Sequence, residues 1–324
     1  TAIATVNLAA VNDAPVTQGE TATTAEDAAI VFTQAELLAN DSDVDAVTDG
    51  QVLCISAVSG AVNGTVTMLA NGDIRFVPDA NYHGAAEFAY TVSDGNGGST
   101  DATVNLTIAA LNDAPVVQGE TIATNEDTPL LIAATTLLAN DSDVDTATDG
   151  QVLSISAVSA IAGQTHGSVS LVTQPDGTQQ VQFTPDANYH GAAQFTYTVS
   201  DGNGGLSDAV VNLNVLSVND TPIAVGEVLT GSAGSQTAVT EDTTLSISAT
   251  TLLANDSDVD TATDGQVLNI TAVGNATHGT VSLDAQGQVH FTPDANYHGP
   301  AQFTYWVSDG AAADGAGAEV PATV

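Results

Sequence analysis

The string Ala-Asn-Asp-Ser-Asp-Val-Asp stands at 39–45, 139–145 and 254–260. Its carboxylates alternate with small or apolar residues in a turn-forming context. Hard oxygen donors in that number are what Ca²⁺ takes. The string keeps constant company. PDANYHG follows at 78–84, 185–191 and 293–299, and VSDG at 92–95, 199–202 and 307–310. An Asn-Asp pair comes before it, at 12–13, 112–113 and 219–220, so the periods are 100 and 107 residues. Self-similarity at a fixed period marks a tandem array of one domain type. An enzyme with a single active site is a poor match to three copies, and no GxSxG, GxxxxGK[ST], HExxH or CxxC is present. The chain is read as no enzyme.

The elements that must position these acids follow from period-2 alternation and turn signals. The first repeat predicts strands near 17–24, 28–33, 51–58, 65–70, 74–77, 87–93 and 101–110, with a helical turn at Ala35–Leu38. The fold class is all-β: tandem seven-stranded Greek-key β-sandwiches in a linear array. Domains are expected at 14–113, 114–220 and 221–324, with 1–13 the end of a preceding repeat. The chain is therefore read as a segment of a longer array. Phe88, Tyr90 and Val92 share one phase, as do Phe195/Tyr197/Val199 and Phe303/Tyr305/Val307, and are read as core. Met68, aligned with Leu171 and Leu283, is read as core too. Tyr82, Tyr189 and Tyr297 stand where a tyrosine-corner hydrogen bond would lie. Cys54 takes the outward phase. Length differences fall in turns, including IAGQTHG and TQPDGTQQ in the second repeat and GSAGSQTA in the third.

Strands of such a sandwich alternate direction, so successive loops alternate between its two ends. Glu26 and Asp27 follow the first strand and Asp79 the fifth; with Asn112 and Asp113 they collect at the far end of the first repeat. Asp141, Asp143, Asp145 and Asp201 collect at the near end of the second. The next junction repeats the set with Glu126, Asp127, Asp186, Asn219 and Asp220 against Asp256, Asp258, Asp260 and Asp309. Asn12, Asp13, Asp43, Asp45 and Asp94 form the first copy, which lacks a partner from a preceding repeat. Glu241, Asp242 and Asp294 are expected to await a further one.

Two unit charges about 5 Å apart repel by about 0.8 kcal/mol in water and about 3 kcal/mol at an effective dielectric of about 20. Several such pairs would splay the domains, so a cation is expected. Zinc favours Cys and His, and magnesium keeps its water, which leaves several Ca²⁺ ions at the interdomain junctions. An EF-hand loop fails, because its sixth position holds Ala46, Thr146 or Thr261 rather than Gly, and its twelfth Val52, Val152 or Val267 rather than Glu.

Composition agrees with a cation-binding surface protein. The chain has 39 Asp and Glu against one Arg and no Lys, a net charge of −38. Nucleic acid and anionic membranes are excluded as partners, since both require basic side chains. No run is long and apolar enough for membrane insertion. Cys54 is the only cysteine, so there is no intrachain disulfide. The histidines of NYHG and THG are read as turn residues.

The set as a whole resembles the cadherin domain, and its wording, ED…LLANDSDVD…FTPDANYHG…FTYTVSDGNGG…VNDAP, is similar to the cadherin-like (VCBS-type) repeats of large bacterial RTX-type adhesins. The resemblance covers essentially the whole chain. It implies calcium held by Glu26, Asp79, Asn112, Asp113, Asp143, Asp145 and Asp201, and by their equivalents. The chain departs from the pattern where AAADGAG replaces GNGG after Asp309, and it carries no RTX nonapeptide. The resemblance implies a calcium-rigidified extender, extracellular on a bacterial surface, in which neighbouring repeats are the partners of a monomeric rod about 120 Å long. The alternative is an adhesive module that binds glycan or protein through its own surface, for which the outward-phase Trp306 is the best pointer.

Overall fold

The computed structural model describes residues 3–6, 9, 11–46, 50–146, 150–229, 240–261, 265–310 and 320–324. The stretches GSAGSQTA and AAADGAG lie outside these residues. The first repeat has seven strands: β1 (Glu20–Ala25), β2 (Ile30–Phe32), β3 (Cys54–Val62), β4 (Gly64–Met68), β5 (Ile74–Pro78), β6 (Gly84–Ser93) and β7 (Ser99–Ala109). They form a sheet of order β1-β7-β6-β3 and a second of order β2-β5-β4. β1 runs parallel to β7, with Glu20 opposite Val104, whereas β6 and β7 are antiparallel. The expected helical turn is α1 (Gln34–Leu37), closed by a capping box between Thr33 and Glu36.

The second repeat follows the same plan with β8 (Thr121–Asn125), β9 (Leu130–Ala133), β10 (Ser154–Ala160), β11 (Gly167–Thr173), β12 (Gln179–Pro185), β13 (Gly191–Ser200) and β14 (Leu206–Leu216). Its sheets are β10-β13-β14-β8 and β11-β12-β9. The third repeat has β15 (Leu245–Ile247), β16 (Asn269–Thr277), β17 (Gly279–Leu283), β18 (Val289–Pro293), β19 (Gln302–Ser308) and β20 (Val320–Thr323), in sheets β15-β18-β17 and β16-β19-β20.

Alternation along β6, β13 and β19 buries the expected aromatics. Phe88, Tyr90, Phe195, Tyr197 and Tyr305 are fully buried, and Phe303 nearly so. Phe32 and Phe76 pack on Phe88 with ring centroids 5.8 Å away in both cases. Met68 is a correction: it is 37 % exposed. It shares a phase with Val66 but ends the edge strand β4, where it pairs only with Ile74 and reaches the sandwich rim. The tyrosine corner also differs in direction. The Tyr82 hydroxyl donates to the Ala85 carbonyl at 2.7 Å, three residues downstream, and Tyr189 and Tyr297 do the same to Ala192 and Pro300. The turn histidines have a packing role: His166 and His278 adopt positive φ and stack on Tyr189 and Tyr297 at 4.2 and 4.1 Å. Cys54 is exposed, as its phase predicts.

The described residues fall into two compact units, one of Thr1–Val117, Leu138–Ser156 and Thr198–Asp208, the other of Gln118–Leu137, Ala157–Tyr197 and Ala209–Val324. The division runs through the second repeat, so each Asn-Asp junction between repeats lies inside one unit.

Candidate metal centre

The Asp-X-Asp spacing has a local cause. Asp43 Oδ1 accepts the Asp45 N–H at 2.8 Å, and Asp143 and Asp258 do the same for Asp145 and Asp260 at 2.9 and 2.8 Å. This bond to the residue two ahead is an Asx turn, which fixes one residue between the two acids. The serine between the first two acids ties the loop to the incoming chain. Ser42 exchanges two backbone hydrogen bonds with Val16 at 2.8 and 3.0 Å, and Ser142–Val116 and Ser257–Ile223 repeat the pairing. The linker is thereby laid beside the acids. Asp13 N–H reaches Asp45 Oδ2 at 2.8 Å, Asp113 N–H reaches Asp145 at 2.8 Å, and Asp220 N–H reaches Asp260 at 2.7 Å.

The VSDG aspartate closes the other side. Asp94 Oδ1 accepts N–H groups from Asn96 at 2.7 Å and Gly98 at 3.0 Å, and Asp201 caps its own turn likewise. Each then accepts the linker asparagine: Asn12 Nδ2 to Asp94 and Asn112 Nδ2 to Asp201 at 2.7 Å, with Asn219 to Asp309 at 2.8 Å. These amide donors, first among the causes, hold the Asp94 and Asp201 carboxyls below the ordinary range. Glycine is required at 98 and 205. A Cβ at Gly205 would collide with Asp201 Oδ2 and stand 2.8 Å from the Asp113 carbonyl oxygen.

The glutamate that follows the first strand of the first and second repeats joins from the opposite side. Glu26 is 2 % and Glu126 1 % exposed. Glu26 Oε1 accepts the Leu111 N–H at 2.5 Å and Glu126 Oε1 accepts that of Val218 at 2.8 Å. The charges of two successive repeats therefore act on the linker between them. Asp113 is pushed up by burial first, then by Asp145, Asp27, Glu26 and Asp143. Asp220 is pushed up by burial, then by Asp127, Asp260, Glu126 and Asp258. Acids distant in sequence thus converge on Asn112-Asp113 in one unit and on Asn219-Asp220 in the other.

Among the described residues, every buried polar or charged side chain except Thr165 is a carboxylate of this set: Glu26, Asp43, Asp45, Asp94 and their equivalents. Several buried oxygens accept no hydrogen bond among the described residues: Asp43, Asp143 and Asp258 Oδ2, Asp113 Oδ2 and Glu126 Oε2. An ionised oxygen without a donor is costly to bury. Arg75, the one Arg or Lys in the chain, is exposed on β5 opposite Val31 and Thr67 and takes no part. Orphaned, buried, all-oxygen donors fit a hard cation such as Ca²⁺ and do not fit a soft one. They are not gathered into a closed shell: among the described residues, no three His, Cys, Asp or Glu side chains group at metal-holding range. One oxygen of most of these acids is committed to a backbone N–H.

Some expected residues stand off. Asp79 and Asp186 are exposed, and their backbone N–H groups bond the Asn63 and His166 carbonyls. Asp27 and Asp127 are exposed as well, but their charges still reach Asp113 and Asp220; they accept the Asn81 and Asn188 N–H at 3.1 and 2.9 Å, which ties the glutamate loop to the PDANYHG turn. The first copy forms its linker-side set without a glutamate from another repeat. Two sets of residues were missed by sequence reasoning. His83 and His190 place Nδ1 3.9 and 3.7 Å from Glu26 and Glu126 Oε2. Gln51, Gln151 and Gln266 donate Nε2 to the linker asparagines at 2.8, 2.8 and 2.6 Å. Their only signal was recurrence at one place in all three copies.

A family model described as the cadherin-like domain matches residues 11–109, 111–216 and 218–324. The chain belongs to the cadherin-like domain family. Among solved structures it is similar to mouse Cadherin-23 EC22-24, at 17 % identity and a TM-score of 0.49 over 97 % of both chains. It is also similar to human CDH23 EC21-23, at 14 % identity and 0.48 over 94 % of this chain and 97 % of that one. Protocadherin Gamma C5 EC1-3 follows at 16 % identity and 0.46 over 94 % and 99 %. No curated protein sequence matches. The first two cadherin-like repeats share one plan, and the described residues of the third keep it without a counterpart of β1 and β8.

Proposed function

We propose that this chain is a calcium-stiffened extender within a large secreted bacterial surface adhesin, holding a distal binding domain away from the cell. The observation that carries the reading is the burial of orphaned carboxylate oxygens at each junction of a chain with almost no cationic side chains. Asn112, Asp113, Asp143, Asp145, Asp201 and Glu26 would hold the ion at one junction, and Asn219, Asp220, Asp258, Asp260, Asp309 and Glu126 at the other. Bound calcium supplies positive charge and a demand for six to eight oxygens. The residues do the rest. The Asx turns aim one oxygen of each Asp-X-Asp acid, the linker backbone is clamped to Asp145 or Asp260, and Glu26 or Glu126 ties the preceding repeat to the linker. Relief of repulsion on both sides of one linker would stiffen it. The bacterial, extracellular setting rests on the motif wording, and the absence of catalytic chemistry is part of the same proposal.

Small-angle scattering and thermal melts, each with calcium and with chelator, test this. Each site saturated at about a hundred times its Kd contributes about 2.7 kcal/mol. Calcium should therefore raise Tm clearly and narrow the distribution of maximum dimensions. No change in either would overturn the reading. The adhesive alternative loses its best pointer, because Trp306 is half-buried and its ring packs over Gly274, where a Cβ would lie 3.4 Å from Cη2 and Cζ3.

A further inference from the structure

We infer that Gln51, Gln151 and Gln266 are neutral oxygen ligands of the junction cations; this rests on the calcium reading above. The orientation of each glutamine follows from a chain of donors and acceptors with a fixed polarity. Asp201 is an ionised carboxylate that only accepts, so Asn112 must turn its Nδ2 toward it, at 2.7 Å. The Asn112 oxygen then faces Gln151, which must present Nε2, at 2.8 Å. Gln151 Oε1 is left pointing elsewhere, and flipping either amide would set acceptor against acceptor. The same relay runs Gln51–Asn12–Asp94 and Gln266–Asn219–Asp309.

In all three copies the resulting Oε1 is buried and accepts no hydrogen bond among the described residues. One such atom would be an accident of packing. Three at one structural position, each a single amide away from the VSDG aspartate, are a property of the site. A second observation points to a ligand here: Asp43, Asp143 and Asp258, each less than a tenth exposed, bury an unpartnered Oδ2 in the same loop cluster. Asp258 in turn feels the charges of Asp260 and Asp309. The chain has no lysine, and its one arginine is remote. A divalent cation that prefers oxygen is the ligand that unpartnered oxygens of this kind take. A neutral amide oxygen adds coordination without adding repulsion to a crowded acidic set, which explains why glutamine rather than glutamate stands there.

Two triple variants of the whole chain test this by calorimetric titration of the chelated protein with Ca²⁺. Gln51→Leu/Gln151→Leu/Gln266→Leu removes both oxygen and donor. Gln51→Glu/Gln151→Glu/Gln266→Glu keeps the oxygen and loses the N–H donor. The expected result is about tenfold or greater loss of affinity, or loss of an ion per repeat, in the leucine variant. The glutamate variant should bind more tightly than the leucine one, because it keeps the ligating oxygen. Parent-like binding by the leucine variant would overturn the inference. So would a glutamate variant as weak as the leucine one, since that would make the glutamine a mere N–H donor that positions the asparagine. A parent chain that binds no calcium would instead sink the function reading and this inference with it. Circular dichroism of the chelated variants separates misfolding from lost ligation, and the near-isosteric glutamate variant keeps the test open if the leucine one fails to fold.

Discussion

Asp143 has two oxygens with opposite duties. Oδ1 holds the turn through the Asp145 N–H, and Oδ2 is buried without a donor. Asp143→Asn keeps the first and neutralises the second. In chelator, Tm should rise by a few degrees, as about 1 kcal/mol of repulsion is relieved. In calcium the same variant should melt below the parent. Scanning calorimetry in both conditions checks the crossing of signs, and a variant that destabilises in both would mean that Oδ2 is satisfied in solution. The carboxylates were legible in the sequence because they recur in turn motifs whose spacing the Asx bond dictates. The glutamines were not. Glutamine is an ordinary surface residue, and Gln151 meets Asn112 only after the chain has returned 39 positions. The same holds for Glu20. Nothing in the local pattern joins it to Tyr90, whose hydroxyl it accepts at 2.9 and 3.0 Å.

At the scale of elements, strand order and core phase could be read from alternation, whereas the ends of edge strands could not. Met68 shows the difference, since period 2 says which face a residue takes but not whether anything covers that face. Tyr90 and Tyr305 pin β6 and β19 to the first strand region through Glu20 and Glu227, and to the carbonyls of Leu37 and Leu252 at 3.1 Å. Burial raises the Glu20 and Glu227 carboxyls, partly offset by the tyrosine hydroxyl, and Asp41 or Asp256 pushes the same way as burial. An acid whose folded pKa lies above its unfolded value destabilises the fold when ionised. That penalty is full at neutral pH, fades as pH falls through the folded pKa, and is gone below the unfolded value near about 4.3. Chelated protein should therefore gain Tm on mild acidification from pH 7, helped by Asp113 and Asp220, which are raised too. Glu20→Gln/Glu227→Gln should flatten the profile, and an equally steep profile in that variant would clear these two acids. Trp306 offers a second test. Ser59 stands where Gly274 does, and Thr91 where Trp306 does. In a Trp306→Thr background, Gly274→Ser should stabilise; in the parent it should help less or harm. A double-mutant cycle should give a coupling of about 1 kcal/mol. Independent effects would mean that the ring does not shield the glycine.

The whole molecule carries −38 with no internal counter-charge beyond one arginine. Self-repulsion of that size is long-ranged and screened over about 10 Å at 0.1 M salt. Sodium chloride should raise the melting temperature of chelated protein steeply and that of calcium-loaded protein only slightly; equal slopes would show that the junction charges are not what calcium neutralises. The convergence at junctions was legible at this scale, because strand alternation sends loops to defined ends. The closeness of the linker was not, since it depends on the Ser42–Val16 type of backbone bridge. That bridge decides who owns a junction. Asparagine, both Asp-X-Asp acids, glutamine and the VSDG aspartate all come from one repeat and the linker leading into it, while the previous repeat contributes a glutamate held by the linker backbone. A copy cut at equivalent points, such as 112 to 218, carries its own docking chemistry. Gene duplication or deletion of whole repeats would leave every remaining junction chemically unchanged, so the length of such an array is free to drift without any interface having to be reinvented.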